Sequence, residues 1–228
     1  MLRTWFYAIA AFVLLAAIAL VRRVVPDRVG VFAAVSLGWT AVVSVAAFTG
    51  LLLPTGRPPV AFLLLFAGIL LLGIVLARST IGERLATGLP LAVLVGFQAF
   101  RFPLELAMHR AHSEGLMPVQ MSYSGRNFDI VTGVTALLLA IALHLARLPL
   151  WVVRAWNWMG LALLVNIVTV AMLSTPAIAY FGPDRLNVFV FQMPYTLLPA
   201  VMVLAAWAGH LIVFRALSSR AASRPDPR

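Results

Sequence analysis

The sequence predicts an all-α protein, a polytopic bundle of about seven membrane-spanning helices, on the strength of three observations. Hydrophobic residues make up 63% of the 228 residues, charged residues make up only 11%, and the mean hydropathy is +1.01. A soluble domain carries about 25% charged residues, so this chain cannot cover its surface in water. The apolar residues also fall into long runs bounded by Arg, Pro and Gly clusters, as expected where helices leave lipid. We therefore expect the lipid bilayer to be the main partner.

Seven apolar segments are long enough, or nearly so, to cross a hydrocarbon core, which takes about 20 residues of helix. Arg22 and Arg23 follow the first apolar run, and this charge order favours a retained first span over a cleaved signal peptide. We predict one transmembrane domain over residues 1–217 and a disordered, cytoplasmic tail over 218–228. The predicted spans are 5–21, 31–53, 60–77, 86–112, 129–148, 156–175 and 195–217.

The arginines predict the orientation of the bundle, because loops rich in basic residues stay in the cytoplasm. With seven spans, six arginines lie on the side of the amino terminus and eleven lie on the opposite side. We therefore expect the amino terminus outside and the carboxyl terminus in the cytoplasm. All basic residues are Arg and none is Lys, a bias typical of GC-rich bacterial genomes. The predicted location is the bacterial cytoplasmic (inner) membrane, as a multi-pass protein.

Composition also excludes several classes of function. The net charge is +10, but the basic residues are scattered between apolar runs, so the patch or stripe of a nucleic-acid-binding protein is missing and no nucleic acid partner is expected. The chain has no Cys, which excludes disulfides, thiolate metal sites and cysteine nucleophiles. The lack of Lys excludes a retinal Schiff base.

A stripe of polar residues runs along the fourth predicted span. Gln98, Arg101, Glu105, His109 and His112 fall within an arc of about 80° on one helical face. A face this polar would cost several kcal/mol if it pointed at lipid. We therefore predict that the stripe faces the interior of the bundle or a wet cavity.

Three interpretations of this stripe remain open. In the first, Arg101 and Glu105 form a structural ion pair one turn apart. In the second, Glu105, His109 and His112, at spacing i, i+4, i+7, bind a divalent metal, zinc or iron, with a further ligand from another segment. In the third, Arg101 holds the anionic group of a small molecule.

Polar loops on the same side of the membrane extend the candidate site. The loop before the fifth span carries several polar groups, and the loop before the seventh span carries Asp184. Asn127 and Asp129 also fit the amino-terminal cap of a helix. Two polar loops over one polar face predict an outward-facing cavity. The candidate ligand-binding residues are Gln98, Arg101, Glu105, Tyr123, Arg126, Asn127, Asp129 and Asp184.

Two further histidines, His144 and His210, lie near the predicted cytoplasmic ends of the fifth and seventh spans. A haem between them is not expected, because cytochrome b bundles usually have additional histidine pairs. We expect both to be hydrogen-bonded or to extend toward the membrane surface. The fifth span also carries small residues on one face, including Gly133 and Ala136, which predicts a helix-packing seam.

The run from Arg101 to Gly133, RFPLELAMHRAHSEGLMPVQMSYSGRNFDIVTG, resembles a run in small bacterial polytopic membrane proteins of no assigned activity. The resemblance implies a shared bundle from the fourth span to the seventh and carries no activity over. The leading hypothesis is a membrane protein that binds or transports a small ligand. The alternatives are a metal-dependent intramembrane enzyme and a scaffolding subunit that has a protein partner in a membrane complex.

Overall fold

The computed structural model describes residues 1–54 and 60–222, and this part of the chain is helical with no β-strand. The all-α bundle predicted from composition is therefore confirmed. Short 3₁₀ turns and loops connect the helices. The helices are α1 (Leu2–Val24), α2 (Val29–Phe48), α3 (Val60–Arg78), α4 (Thr80–Gly88), α5 (Leu91–Gly96), α6 (Arg101–Ser113), α7 (Asp129–Leu145), α8 (Leu150–Leu173) and α9 (Leu204–Ala222).

Six helical segments in the described part of the chain are long and apolar enough to cross a membrane. The helix α7 is apolar but has 17 residues, about 26 Å of helix against a core of about 30 Å. It packs along α6 and α8. The chain is thus a multi-pass membrane protein with six candidate spans, and the seventh span and the orientation stay predictions. The six segments are Leu2–Val24, Pro26–Phe48, Val60–Arg78, Leu91–Ser113, Leu150–Leu173 and Leu198–Ala222.

The fourth predicted span, 86–112, is not one regular α-helix. It is interrupted before Leu91 and again at residues 97–100. Its first residues belong to the separate helix α4, where the side chain of Ser79 accepts a hydrogen bond from the backbone N–H of Gly82 at 3.2 Å. Pro90 then begins α5, and a 3₁₀ turn over Phe97–Phe100 joins α5 to α6. Pro103, in the first turn of α6, lacks the N–H that a helix needs in its interior.

Two apolar clusters fill the bundle. The first includes Phe6, Ile69 and Phe191 together with the inner residues of α6 and α8. The second cluster includes Leu89 and Val153 together with buried residues in the carboxyl-terminal half of α9. Between the two clusters, the buried residues include Asn157 and Gly160 of α8 and Ala208 and His210 of α9. His210 therefore lies between the two clusters, whereas Glu105 is beside Leu104 and Met108 of the first cluster.

Glycines allow the inner helices to approach closely. A Cβ added at Gly133 would lie 2.3 Å from the backbone nitrogen of Phe102 in α6. A Cβ added at Gly73 in α3 would lie 2.2 Å from the ring of Trp207 in α9. Thr132, Gly133 and Ala136 of α7 are all buried, which agrees with the predicted packing seam.

The carboxyl end of the chain differs from the prediction. The helix α9 continues to Ala222, so residues 218–222 extend the last helix instead of beginning a disordered tail. The rest of the predicted tail, 223–228, lies outside the described residues.

Candidate functional site

Arg101 lies at the centre of a buried polar network and is 1% exposed. Its guanidinium forms an ion pair with Asp129 at the start of α7, with Nε 3.1 Å from Oδ2 and Nη2 also on that oxygen. Nη1 donates to Nε2 of His210 in α9 at 2.9 Å and, at 3.4 Å, to the carbonyl of Gly160 in α8. One side chain of α6 thus bonds to three other helices. The expected ion pair with Glu105 does not form.

The contact with Arg101 fixes the tautomer of His210. A guanidinium only donates hydrogen bonds, so Nε2 of His210 accepts and the proton lies on Nδ1. Nδ1 is 2.8 Å from Oδ1 of Asn157, and Nδ2 of Asn157 donates to the carbonyl of His210 at 3.1 Å. His210 is therefore neutral, and all three residues are fully buried or nearly so.

The sequence-based placement of His210 is wrong. It was expected near the cytoplasmic end of its span because Arg215 appeared to mark the exit from lipid. In the structure, Arg215 donates to the carbonyls of Ala77 and Ser79 and pairs with Glu83, so the segment continues past it. His210 then falls at the middle of Leu198–Ala222 and at the level of Arg101.

Gly160 makes the room that this arrangement needs. A Cβ at this position would lie 2.6 Å from Cε1 of His210 and 2.9 Å from Cγ2 of Thr132. Any side chain there would displace the imidazole from Arg101. Gly160 and Asn157, one turn apart on α8, and His210 are the network residues that the sequence analysis did not connect with α6, because periodicity within one helix does not show which residues of other helices it meets.

Glu105 occupies the next turn of α6 and is 2% exposed. Its Oε2 accepts a hydrogen bond from Nδ2 of Asn127 at 2.7 Å. The same nitrogen donates to the carbonyl of Met121 at 3.0 Å, and Oδ1 of Asn127 accepts from the backbone N–H of Asp129 at 3.1 Å. Asn127 therefore connects Glu105 to the start of α7. Within residues 1–54 and 60–222, no ion pair forms at Glu105.

The network has an unbalanced formal charge. Asp129 is neutralised by Arg101, and His210 is neutral, so an ionised Glu105 would leave one negative charge in the bundle core. A buried charge without a partner costs several kcal/mol in a protein interior and is equally unfavourable in a membrane. A proton or another cation at Glu105 removes that cost.

A cavity of about 60 Å³ lies beside the two carboxylates. Glu105, Asp129 and Asn187 line it together with apolar side chains such as Leu104 and Leu164. Oδ1 of Asp129 and Oδ1 of Asn187 are buried with no hydrogen-bond partner. A water molecule needs about 10–15 Å³ of such space, so the cavity has room for a small ion with a few waters. The surface of the cavity is mostly apolar, and the two unpaired oxygens belong to residues that border it.

His109, one turn beyond Glu105, contacts the following loop instead of the network. Its Nδ1 is 3.1 Å from Oγ of Ser122 and 3.1 Å from Oγ of Ser124. Its ring stacks on Tyr123 with a centroid separation of 4.3 Å. Among the described residues, Nε2 of His109 has no hydrogen-bond partner, so no third group orients the imidazole as in a hydrolase triad. His109 anchors the loop on α6.

The three predicted metal ligands do not form a ligand set. Nδ1 of His112 is 3.2 Å from the carbonyl of Met117, and the ring centroids of His109 and His112 are 6.3 Å apart. Glu105 is bonded to Asn127. The described part of the chain contains no group of three or more His, Cys, Asp or Glu side chains that could hold a metal ion. The residues present therefore do not fit a zinc or iron site.

The remaining predicted ligand residues divide into two groups. Gln98 is fully buried, and its Nε2 donates to the carbonyl of Ala206 at 3.1 Å. Arg126 is exposed, with its guanidinium 5.4 Å from the ring centroid of Phe181. Asp184 is exposed in a 3₁₀ turn, and Tyr123 is half-buried. The structure thus brings Gln98, Arg101, Glu105, Asn127 and Asp129 into the bundle core and leaves Tyr123, Arg126 and Asp184 in the loops.

Two loops close the site on this side of the bundle. Nε2 of Gln120 donates to Oγ of Ser174 at 3.0 Å and to the carbonyl of Arg185 at 2.8 Å, which joins the loops. Phe189 and Phe191, in the second loop, are buried in the first apolar cluster. The polar residues therefore form a closed internal network. His144, at the far end of α7, is exposed and takes no part in it.

The chain matches no known family model, no curated protein and no solved structure. The function is therefore inferred from the chemistry of the buried network and of the cavity beside it.

Proposed function

We propose that the protein binds a small monovalent cation, the proton included, beside Glu105 and Asp129 and transports it across the membrane. The observation that carries this proposal is the unbalanced charge of the buried network. Two carboxylates face one guanidinium, and the imidazole of His210 is neutral because it accepts from Arg101. One positive charge completes the site.

The cavity supports a small cation over an organic ligand. Its volume of about 60 Å³ is far below the roughly 300–1,000 Å³ of sites for drug-sized ligands. Carboxylate and amide oxygens are the ligands that hard cations prefer, and the unpaired oxygens belong to Asp129 and Asn187. Arg101 already donates to Asp129, His210 and Gly160, which leaves little capacity for an anion.

Apolar residues cover both ends of the network, and Glu105 lies at the end nearer the loops. Glu105 and Asn127 lie next to the loops that follow α6 and α8. Beyond His210 and Asn157, the second apolar cluster closes the bundle. We propose that the ion enters from the loop side and that apolar packing on the other side must open for release. The arginine distribution supports an outward-facing loop side in a bacterial cytoplasmic membrane.

The proposal is tested with purified protein in liposomes that contain a pH-sensitive dye, under imposed proton, Na⁺ or K⁺ gradients. Glu105→Gln keeps the shape of the side chain and its contact with Asn127 but removes the titratable charge. Glu114→Gln is the matched control, because Glu114 is more exposed and pairs only with Arg110 at 2.6 Å. We expect ion-dependent flux from the native chain and from Glu114→Gln, and background flux from Glu105→Gln.

Equal flux from the Glu105→Gln and native proteins would contradict the proposal. Stoichiometric divalent metal in the purified protein, lost in His109→Ala, would instead favour the metal-dependent enzyme. A fixed partner protein with no flux in any gradient would favour the scaffolding role.

A further inference from the structure

A second and larger cavity has no lining residue in common with the cavity beside Glu105 and Asp129. It has a volume of about 310 Å³ and is formed between α2 on one side and α1, α3, α4 and α9 on the other. Its lining is almost entirely apolar, with Val21, Phe32, Leu76 and Leu85 among the contributing residues. We call it the α2 groove.

The α2 groove exists because α2 packs only loosely on the bundle. Only 11% of the most apolar stretch of Pro26–Phe48 is buried, the lowest value of the six candidate spans. Among the described residues, α2 itself makes one side-chain hydrogen bond to another helical segment, from Nε1 of Trp39 to the carbonyl of Ala200 at 2.9 Å, and Arg28 just before α2 contacts Thr80 at 3.4 Å. In a bilayer, such a space fills with hydrocarbon.

Arginines are close in sequence to residues that line one end of the α2 groove. Leu20 and Val21 line it and are followed directly by Arg22 and Arg23, which are exposed. On the other side, Ser79 and Ile81 line it and flank Thr80, whose Oγ1 is 3.4 Å from Nη1 of Arg28. The basic residues therefore lie where the apolar lining ends.

The charge at this end is strongly positive. Segments 22–28 and 78–84 together hold five arginines and two carboxylates. Glu83 is already paired with Arg215 at 3.0 Å, and Asp27 is 3.9 Å from Arg28 with 75% of its side chain exposed. The guanidinium groups of Arg78 and Arg84 are also exposed. Arginine suits phosphate because its planar donors bind two oxygens at once.

We propose that the α2 groove binds an anionic phospholipid, with an acyl chain along the apolar lining and the phosphate among the arginines at its end. The lipid then fills the space between α2 and the rest of the bundle. This inference does not depend on the cation site. Apolar lining alone would accept any lipid, and the arginines make the site selective for an anionic headgroup.

The test is native mass spectrometry of the full chain in detergent, titrated with phosphatidylglycerol and with phosphatidylcholine of identical acyl chains. We expect one tightly bound phosphatidylglycerol and weaker phosphatidylcholine. Each arginine near an anionic lipid contributes about 1 kcal/mol, so Arg28→Gln with Arg84→Gln is expected to weaken phosphatidylglycerol binding roughly 30-fold. Arg154→Gln, an exposed arginine of α8 outside the groove, is expected to leave it unchanged.

A second pair of variants tests the apolar part. Ser36 lines the α2 groove, whereas its neighbour Leu37 is 54% exposed and does not. Ser36→Phe is expected to displace the bound lipid, and Leu37→Phe is expected to retain it. Equal binding of the two lipids, or equal loss in Arg154→Gln and in the double variant, would overturn the proposal. A stable dimer lost in Ser36→Phe would show that a second copy covers the groove.

Discussion

The helix α2 and the broken span formed by α5 and α6 differ in both polarity and position. In the most apolar stretch of Pro26–Phe48 the mean hydropathy is 2.0 and 11% of the residues are buried, whereas in that of Leu91–Ser113 the mean hydropathy is 1.4 and 50% are buried. The more polar segment is therefore the more deeply buried one. In lipid this order is expected, because the surroundings are as apolar as Leu and polar groups must find partners inside the protein.

The comparison also shows what holds each segment in place. Arg101 of α6 bonds to Asp129, Gly160 and His210, on three different helices. Within residues 1–54 and 60–222, α2 has one such bond, from Trp39. Polar bonds and close glycine contacts therefore fix the centre of the bundle, and the periphery is left to lipid.

The largest expected effect comes from breaking the network at Arg101. Arg101→Met leaves Asp129 as an unpaired buried charge, so we expect the free energy of unfolding to fall by about 3–5 kcal/mol. The measurement is denaturant-induced unfolding in detergent micelles. Arg126→Gln is the control, because Arg126 is exposed in a loop.

Adding Asp129→Leu to Arg101→Met sharpens this result. Replacing a whole buried pair with apolar residues is often neutral, so the double variant is expected to recover most of the lost stability. A double variant as unstable as Arg101→Met would show that the loss comes from packing and not from the unpaired charge.

A smaller effect is expected from matched glycine substitutions in the two regions. Gly133→Ala places a methyl group 2.3 Å from the backbone of Phe102 and is expected to cost about 1–3 kcal/mol. Gly38→Ala in α2 meets no atom within 4 Å, and it is expected to be neutral or to stabilise by up to about 1 kcal/mol. Equal costs at both positions would contradict a tightly packed centre and a loose periphery.

Much of the fold could be predicted from the sequence, because uninterrupted apolar runs such as 60–77 set the helices directly. The break in the fourth span was harder to predict. Ser79 and Pro90 are strong local signals for the start of a helix, but the apolar run continues across Pro90 and conceals the separate helix α4. Local capping and overall hydropathy give opposite indications there, and the structure follows the capping.

The candidate site was predicted in part. Helical periodicity correctly places Gln98, Arg101 and Glu105 on one inward face. It cannot show which residues of other helices meet that face, and so His210 and Asn157 were not connected to it. The same limit affects the metal prediction, because His109 shares the face of Glu105 but turns toward the loop.

The central claim is that the buried network lacks one positive charge, which a proton or a small cation supplies at Glu105. Infrared difference spectroscopy of the purified protein at neutral pH, with and without Na⁺ or K⁺, tests it most directly. In cation-free buffer we predict the carbonyl band of a protonated carboxylic acid, absent in Glu105→Gln and present in Glu114→Gln. Identical spectra from the native and Glu105→Gln proteins, with and without added cations, would contradict the claim.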